Sequence, residues 1–237
     1  MLTLLQIDSS PMGDASISRR LTQEYVRSWR HAHPDGLVRS RDLARTAMPV
    51  IDAAWVAANF TPQALRSPQQ EAMLGLSTFL TTELLEADEY VLGIPMHNWG
   101  PSASFKLWVD HIVRQEETLK STPLGPKGAL AGKRASFIIA AGASYREQSP
   151  AASRDFIEPW LRTLFAYLGV EDMRFVMVDE VVNTLRGEVD PATFLAPHLD
   201  TVRALFEPAG HRSPNRARQL DDEPPRPAPV VHQADAG

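Results

Sequence analysis

The sequence predicts an α/β protein with a doubly wound parallel sheet of five strands and helices on both faces. Short apolar runs alternate with longer amphipathic segments, and this alternation is typical of βαβ units. The 237 residues suffice for one large domain with a core of its own, or for such a domain with a tail. Five strands favour an open sheet, because a closed parallel barrel needs eight.

The predicted strands are short and rich in Val, Ile, Leu and Phe. They are residues 2–7, 37–43, 89–95, 135–141 and 174–178. Runs of this length, separated by helical segments, fit parallel strands that are buried on both faces. The flavodoxin-like strand order accommodates five of them.

Residues typical of helix ends support the predicted helices. The helices are residues 16–33, 67–88, 101–114, 150–169 and 190–206. Ser67, Pro68 and Gln70 have the spacing of a capping box with proline at the first helical position. Gly169 is expected to end the fourth helix, since glycine tolerates left-handed geometry. Pro197 is expected to kink the last helix or to shift its start.

The composition changes after residue 207. Residues 208–237 contain many prolines, alanines and charges and almost no large apolar side chains. Such a segment cannot bury enough surface to offset its chain entropy. We therefore predict a domain at residues 1–207 and a Pro-rich disordered tail at residues 208–237. A short partner-binding segment is the less favoured alternative for the tail.

Charge and composition exclude several classes of function. The net charge of -5 argues against nucleic-acid binding, which needs a basic face. The absence of cysteine removes disulfides, thiolate metal sites and thiol nucleophiles, and it suits the reducing cytoplasm. Residues 1–8 are predicted to be a strand and not a signal peptide, and no apolar run reaches the length of a membrane span. We expect a cytoplasmic protein without a nucleic-acid or membrane partner.

The loop after the first strand, residues 9–18, is the first candidate ligand site. Ligands of doubly wound sheets bind beyond the carboxyl ends of the strands, and helix N-termini suit phosphates. Ser16 is a candidate N-cap, and Ser10, Ser18 and the backbone N–H of Ile17 are candidate phosphate contacts. The loop lacks the P-loop and G-x-G-x-x-G patterns, which favours a single phosphate over a pyrophosphate. An ordinary serine-rich turn is an equally weighted alternative.

The loop after the third strand, residues 95–101, is the second candidate. Its backbone and the Asn98 amide suit the edge of a planar heterocycle, with Trp99 as an apolar wall. Taken singly, Met96 and Trp99 are more often core residues, and His97 is more often structural than catalytic. No metal site is predicted, because no cysteine or second nearby histidine accompanies His97.

The loop after the fourth strand is the third candidate. Ala140, Ala141, Gly142 and Ala143 are all small, so a ligand could approach their backbone closely. This signal is weak by itself, because small residues also make ordinary tight turns.

Together, the three loops resemble the FMN-dependent NADH-azoreductase (NAD(P)H-quinone oxidoreductase) family, over residues 1–206. The family's S-S-x-x-x-x-x-S-x-S turn is matched by Ser9, Ser10, Ser16 and Ser18. Its P-M-Y-N-F segment corresponds to P-M-H-N-W at residues 95–99. The helix that follows keeps a pattern formed by Lys106, Trp108 and Asp110.

The resemblance implies a homodimer with FMN near the subunit interface. It implies ping-pong electron transfer from NADH or NADPH through FMN to a quinone or an azo compound. The implied phosphate contacts are Ser10, Ser16, Ile17 and Ser18. The implied isoalloxazine contacts are Met96, His97, Asn98 and Trp99. The other edge of the ring would face Ala140, Ala141, Gly142 and Ala143.

The sequence departs from the family at three places. The usual S-R-G-G of the third loop is A-A-G-A at residues 140–143, and His97 and Trp99 replace tyrosine and phenylalanine. The family's G-x-T-F segment is E-E-T-L at residues 116–119. We expect these changes to spare the fold and to alter flavin affinity and substrate range.

His97 is the one candidate catalytic side chain, because imidazole titrates near neutral pH. Our hypothesis is that it tunes the flavin or protonates the reduced acceptor. Two other functional classes stay open, an FMN-binding electron carrier or sensor and a flavin-free interaction module. The reductase is preferred because the first two loops are largely intact, whereas fold alone does not identify an activity.

Overall fold

The computed structural model describes residues 1–145 and 148–207, of which Met1–Phe206 form one compact unit. Its strands are β1 (Thr3–Asp8), β2 (Leu37–Asp42), β3 (Glu89–His97), β4 (Gly100–Pro101), β5 (Leu119–Thr122), β6 (Gly125–Gly128), β7 (Arg134–Ala140) and β8 (Asp172–Val178). Its α-helices are α1 (Ile17–Ala32), α2 (Ala53–Phe60), α3 (Pro68–Glu86), α4 (Ala103–Ile112), α5 (Ile157–Tyr167), α6 (Val182–Leu185) and α7 (Pro191–Ala204). The predicted tail, residues 208–237, lies outside the described residues.

Five parallel strands form the central sheet in the order β2-β1-β3-β7-β8. The predicted flavodoxin-like α/β fold is therefore confirmed. The chain moves outward from β1 to β2 and then returns to place β3 on the other side of β1. The carboxyl ends of β1 and β3 consequently flank the point where the strand order reverses, which is where open α/β sheets bind ligands.

The sheet is covered by helices on both faces, because alternate side chains of a strand point to opposite sides. On one face, Leu4 and Val91 join a buried cluster with residues of α1 and α7, which includes Trp29. On the other face, Leu5 joins a second cluster with residues of α3, α4 and α5, which includes Trp108. Full burial of an aliphatic side chain such as Leu4, Leu5 or Val91 stabilises the fold by about 1.5–3 kcal/mol.

Several element bounds differ from the prediction. The fourth predicted helix begins only at Ile157, after a 3-10 turn at Ala152–Arg154. The last helix begins at Pro191, capped by Asp190, and continues through Pro197, so that proline does not shift its start. Helix α2 and the β5–β6 hairpin were not predicted. The first has only eight residues, and the second is polar and rich in glycine and proline.

No α-helix within residues 1–145 and 148–207 combines the length and the apolar character needed to cross a membrane.

Candidate functional site

The loop after β1 is pinned to the two neighbouring elements through Ser9. The backbone N–H and the side-chain hydroxyl of Ser9 both donate to the carbonyl of Gly93, over 3.1 and 3.0 Å. The hydroxyl of Ser102, which caps α4, donates to the carbonyl of Ser9 over 3.1 Å. Ser9 therefore has a structural role, and it fixes where the rest of the serine-rich loop lies.

The N-terminus of α1 presents several hydrogen-bonding groups at one place. Ser16 caps the helix by accepting from the N–H of Arg19 over 3.3 Å, and its hydroxyl lies 3.2 Å from that of Ser18. The backbone N–H groups of Ile17 and Ser18 donate to no acceptor within the described residues. Two unused amides and two adjacent hydroxyls at a helix N-terminus fit an anionic group such as a phosphate.

Ser10 completes this turn. Its side chain is buried, and its hydroxyl accepts from the N–H of Met12 over 3.3 Å. A serine hydroxyl carries one donor and two acceptor positions, so accepting from Met12 leaves the Ser10 hydrogen available. Of the residues predicted to contact a phosphate, Ser16, Ile17 and Ser18 share the first turn of α1, and Ser10 lies in the loop that leads into it.

A buried carboxylic acid packs against α1 close to this turn. Asp8, the last residue of β1, accepts hydrogen bonds from the Thr22 hydroxyl over 2.7 Å and from the Gln6 amide over 3.0 Å. Burial raises the pKa of the Asp8 carboxyl to about 6, against the lowering effects of the Thr22 hydrogen bond and of Arg19. Sequence reasoning missed Asp8, although an acid at the end of an apolar strand is a signal that could have found it.

Gly93 on β3 makes room for that acid. A Cβ atom at this position would lie 2.7 Å from Asp8 Oδ1 and 2.9 Å from Thr22 Cγ2. Real Cβ contacts are essentially never shorter than 3.0 Å, so any larger residue at position 93 would have to push aside the side chains of Asp8 and Thr22. Glycine is required here by close approach and not by backbone conformation.

Arg19 is engaged within the protein and is not a free cation beside the loop. Its Nη2 lies 2.7 Å from Asp42 Oδ2, and its Nη1 lies 4.0 Å from Asp8 Oδ2. Asp8 and Asp42 are direct partners in the pairing of β1 with β2. The strand register therefore places the two acids on either side of one arginine.

The second loop is a tight β-hairpin, whereas the sequence predicted a strand that ends at residue 95 and a loop at residues 95–101. β3 continues to His97 and pairs antiparallel with β4, so that His97 faces Gly100 and Met96 faces Pro101. Asn98 and Trp99 form the two-residue turn, with φ angles of 51° and 64°. Two positive φ angles define a type I′ turn. Left-handed backbone at a residue such as tryptophan costs about 1–2 kcal/mol.

The turn holds its side chains outward. His97 and Asn98 are exposed, and Trp99 is 48% exposed. Met96 instead packs partly against the core beneath α3, α4 and α5. A large aromatic ring held in solvent by a strained backbone is a costly arrangement, and such arrangements concentrate at binding sites.

The third loop follows β7, which pairs with β3 so that Ala140 lies beside Pro95. Ala140 and Ala141 are buried, and Ala143 is exposed. A Cβ atom on Gly142 would approach no atom closer than Val182 Cβ, at 4.0 Å. The backbone here is thus accessible, although nothing in the described geometry requires glycine at position 142.

Asp179 holds the third loop in place and was also missed from the sequence. It accepts from the hydroxyl of Ser144 over 3.1 Å and from the N–H of Tyr145 over 3.3 Å. The carbonyl of Ala141 accepts from the N–H of Val181 over 3.0 Å. The segment after β8 therefore supports the loop after β7.

All three loops lie at one edge of the sheet, because β1, β3 and β7 are neighbours and parallel. Loop one is linked to β3 by the hydrogen bonds of Ser9, and loop three is linked to it by strand register. The arrangement offers an anion-binding helix N-terminus, an exposed aromatic ring and a small-residue backbone. This combination suits an elongated ligand with a phosphate at one end and a planar ring at the other.

The segment that departs from the family at residues 116–119 has its own unusual geometry. Glu116 has a φ of 62°, a conformation in which glycine is favoured. The neighbouring Arg114 is completely buried, and its Nε donates to Asn59 Oδ1 over 2.6 Å. Burial lowers the pKa of the Arg114 guanidinium, and Glu117 opposes that effect. This buried arginine ties α2 to the end of α4.

Sequence comparison places the chain among known proteins. A family model described as flavodoxin-like fold matches residues 2–199. A protein of Burkholderia lata named FMN-dependent NADH:quinone oxidoreductase 3 is 68% identical over 206 residues, which cover 87% of this chain and 100% of that protein. A protein of Acidobacterium capsulatum with the name FMN-dependent NADH:quinone oxidoreductase is 42% identical over 203 residues, with coverages of 86% and 98%.

Solved structures share the same fold. An azoreductase from Bacillus anthracis superposes with a TM-score of 0.76 at 20% identity, covering 87% of this chain and 99% of that chain. An FMN-dependent NADH-azoreductase from the same species, in complex with FMN, superposes with a TM-score of 0.75 at 22% identity, with coverages of 87% and 98%. At these identities the likeness establishes the fold alone.

The fold and the sequence comparison define a flavodoxin-like protein. The chain belongs to the flavodoxin-like fold family, and within it to the group of the FMN-dependent NADH:quinone oxidoreductases. The family resemblance seen in the three loops is thereby confirmed.

Proposed function

We propose that this protein is an FMN-dependent oxidoreductase that passes electrons from NADH to quinones. The structural observation that carries the proposal is the anion-binding turn at the start of α1, with the unused amides of Ile17 and Ser18. The proposal is also supported by the 68% identity to a protein named for this activity, along that protein's whole length. Azo compounds are proposed as further acceptors, and NADPH as an alternative donor.

Each of the three loops is proposed to contact a different part of FMN. The phosphate is assigned to the hydroxyls and amides of Ser10, Ser16, Ile17 and Ser18. The ring is assigned to the hairpin residues Met96, His97, Asn98 and Trp99. The opposite edge of the ring is assigned to the backbone of Ala140, Ala141, Gly142 and Ala143. When bound, FMN supplies the capacity to take up a hydride and release its electrons, and the protein supplies position and electrostatics.

Donor and acceptor are proposed to use one open side of the site in turn, which gives ping-pong kinetics. The exposed ring of Trp99 provides an apolar surface for both planar substrates. His97 is exposed beside it and is proposed to donate a proton to the reduced acceptor. Replacement of His97 by Phe tests that role, because unchanged kinetics across pH in both half-reactions would remove it from the mechanism.

We also propose that the protein works as a homodimer. The α2 region and the segment that follows it expose an unusual amount of apolar surface, with Phe60 at 72% and Leu65 at 75% exposure. Val50 and Phe79 are exposed as well. Large exposed apolar side chains that occur close together in the chain are typical of a protein–protein interface. Sedimentation equilibrium would give the mass of one chain if this proposal is wrong.

We propose a cytoplasmic location, since the sequence contains no cysteine that an oxidising compartment would oxidise. No nucleic-acid or membrane partner is part of the proposed function. The net charge of -5 is unsuited to either polyanionic surface.

The visible absorption spectrum of the purified protein tests the proposed function. We expect a bound-flavin spectrum after addition of FMN, bleaching by NADH without oxygen, and recovery on addition of a quinone. A protein that takes up no FMN at saturation would refute the proposal and leave an interaction module. A flavin that NADH does not bleach, or that no quinone reoxidises, would instead indicate an electron carrier or sensor.

A further inference from the structure

The buried acid Asp8, which packs against α1 beside the proposed phosphate site, has no role in the function proposed above. The Asp8 side chain is 7% exposed and lies at the carboxyl end of β1, one residue before the serine-rich loop. The position of a Cβ atom on Gly93 would be 2.7 Å from Asp8 Oδ1 and 3.4 Å from the carbonyl oxygen of Ser18. These two oxygens are therefore at most about 6 Å apart, and the carboxyl lies directly against the first turn of α1.

The charged groups around Asp8 do not neutralise it completely. From α1, Arg19 approaches the carboxyl to 4.0 Å, and from β2, Asp42 takes the closer contact with the same arginine at 2.7 Å. Arg45 pairs with Asp42 at 3.5 Å but is itself well exposed. On β3, the residue facing Asp8 is the uncharged Gly93. When Asp8 is ionised, the buried Asp8 and the half-buried Asp42 carboxylates thus share the half-buried guanidinium of Arg19.

An ionised carboxylate at this place opposes the binding of an anion. The unused amides of Ile17 and Ser18 and the partial positive charge of the helix N-terminus favour negative charge. A carboxylate oxygen at most about 6 Å from the carbonyl oxygen of Ser18 cancels part of that effect, and burial reduces the screening by solvent. A protonated carboxyl still accepts the Thr22 hydrogen bond but exerts no such repulsion.

We propose that Asp8 is protonated when the FMN phosphate is bound, and that its ionisation weakens FMN binding, so that this one residue sets how FMN affinity depends on pH. The inference rests on the proposed function, because it requires that the turn at α1 holds the phosphate of FMN. It assigns Asp8 a role in affinity and not in the chemistry of electron transfer.

The titration of Asp8 gives the inference its direction. Burial raises the pKa of the carboxyl to about 6 in the protein without ligand. The acid is thus mostly protonated below that pH and mostly ionised at neutral pH. A nearby phosphate dianion raises the pKa further, since a like charge disfavours the ionised form. Binding at neutral pH therefore includes the uptake of a proton, and affinity falls as the pH rises through and above 6.

Flavin fluorescence quenching across pH tests this inference with two ligands and two proteins. Dissociation constants of FMN and of riboflavin, which lacks the phosphate, are measured for the wild type and for Asp8→Asn. For FMN, we expect the ratio of wild-type to variant constants to be near one at about pH 5 and to rise to about a hundredfold at about pH 8. For riboflavin, we expect the same ratio to be constant with pH.

Asp42→Asn is the matched control, because it removes a carboxylate that contacts the same arginine. Asp42 is more exposed than Asp8 and raises the pKa of Asp8, so we expect its replacement to keep the pH dependence of FMN affinity and to move it to lower pH. A constant wild-type to Asp8→Asn ratio for FMN would overturn the inference. A riboflavin ratio that follows the same pH trend would also overturn it, since the effect would then be structural.

Calorimetry of the wild type keeps the inference testable if Asp8→Asn does not fold. FMN is titrated at about pH 7.5 in two buffers that differ in ionisation enthalpy, which reports the protons taken up or released. Uptake with FMN and none with riboflavin supports the inference, and release or no exchange with FMN overturns it. If the protein binds neither flavin at any pH, the proposed function fails and the inference fails with it.

Discussion

The two ends of the candidate site are built in opposite ways. At the phosphate end, Ser9, Ser16 and Ser102 are buried. The hydrogen bonds of Ser9 and Ser102 link the end of β1 to β3 and α4, and Ser16 caps α1. At the ring end, Asn98 and Trp99 have positive φ angles, and their side chains are exposed. The residues proposed to bind the FMN phosphate therefore also stabilise the fold. The hairpin residues proposed to meet the electron donor and acceptor instead lower the stability of the fold.

Substitution of Gly93 at the phosphate end should cause the greatest loss of stability. In Gly93→Ala the new methyl group would collide with Asp8 and Thr22, and overpacking of this kind destabilises by about 1–3 kcal/mol. Urea unfolding measures the loss, and FMN affinity should fall with it. Gly75→Ala is the control, because it lies in α3 and the added Cβ would have no atom within 4 Å other than those of its own helix. That change should stabilise by about 0.5–1 kcal/mol. Equal effects of the two variants would contradict the close approach at Gly93.

The phosphate end should also make the stability of the protein depend on pH. The pKa of Asp8 is raised from 3.8 to about 6 by folding, so the folded state binds the proton more tightly than the unfolded state. The stability from Asp8 is present below about pH 4 and is lost as the pH rises through 6. Without FMN, Asp8→Asn should therefore be more stable than the wild type at neutral pH, by about 2 kcal/mol. Urea unfolding at about pH 4 and pH 7 measures this, and a variant less stable than the wild type at both pH values would contradict it.

A smaller effect is expected where one residue serves both the fold and the ligand. Ser16→Ala removes the N-cap of α1 and should destabilise by about 1 kcal/mol while also weakening FMN binding. Ser67→Ala removes the N-cap of α3, which lies outside the three loops. It should cost similar stability and leave FMN affinity unchanged. Thermal unfolding and FMN titration of both variants separate the roles, and equal losses of FMN affinity would argue against a phosphate at α1.

At the ring end the expected stability effect has the opposite sign. Asn-Gly is the favoured pair for a type I′ turn, so Trp99→Gly should relieve the strain at φ 64° and stabilise by about 1 kcal/mol. Turnover with quinones should nevertheless decrease, because the exposed aromatic surface is lost. A Trp99→Phe variant keeps a ring and controls for it. If Trp99→Gly were less stable than the wild type, the ring would be held by packing and the proposed contrast between the two ends would be wrong.

The sequence predicted most of the secondary structure and the location of the candidate site. The five sheet strands and the helices α1, α3 and α7 were recovered within a few residues of their bounds, because apolar periodicity and capping residues are local signals. The loops were placed at one edge by the rule that ligands bind beyond the carboxyl ends of parallel strands. The helix α2 and the β5–β6 hairpin were missed, since both are short and lack a clear periodic pattern.

The tertiary structure determines which charged side chains of the site lie next to one another. The Asp8 carboxyl, the Asp42 carboxylate and the Arg19 guanidinium meet only because strand register and the packing of α1 bring them together. The need for glycine at position 93 likewise arises from an approach between β1, β3 and α1. The amino-acid sequence by itself determined where strands, helices and the phosphate turn form, because those depend on neighbours along the chain. Which charges face one another, and hence the pKa of Asp8, depends on residues far apart in the chain and was settled only by the fold.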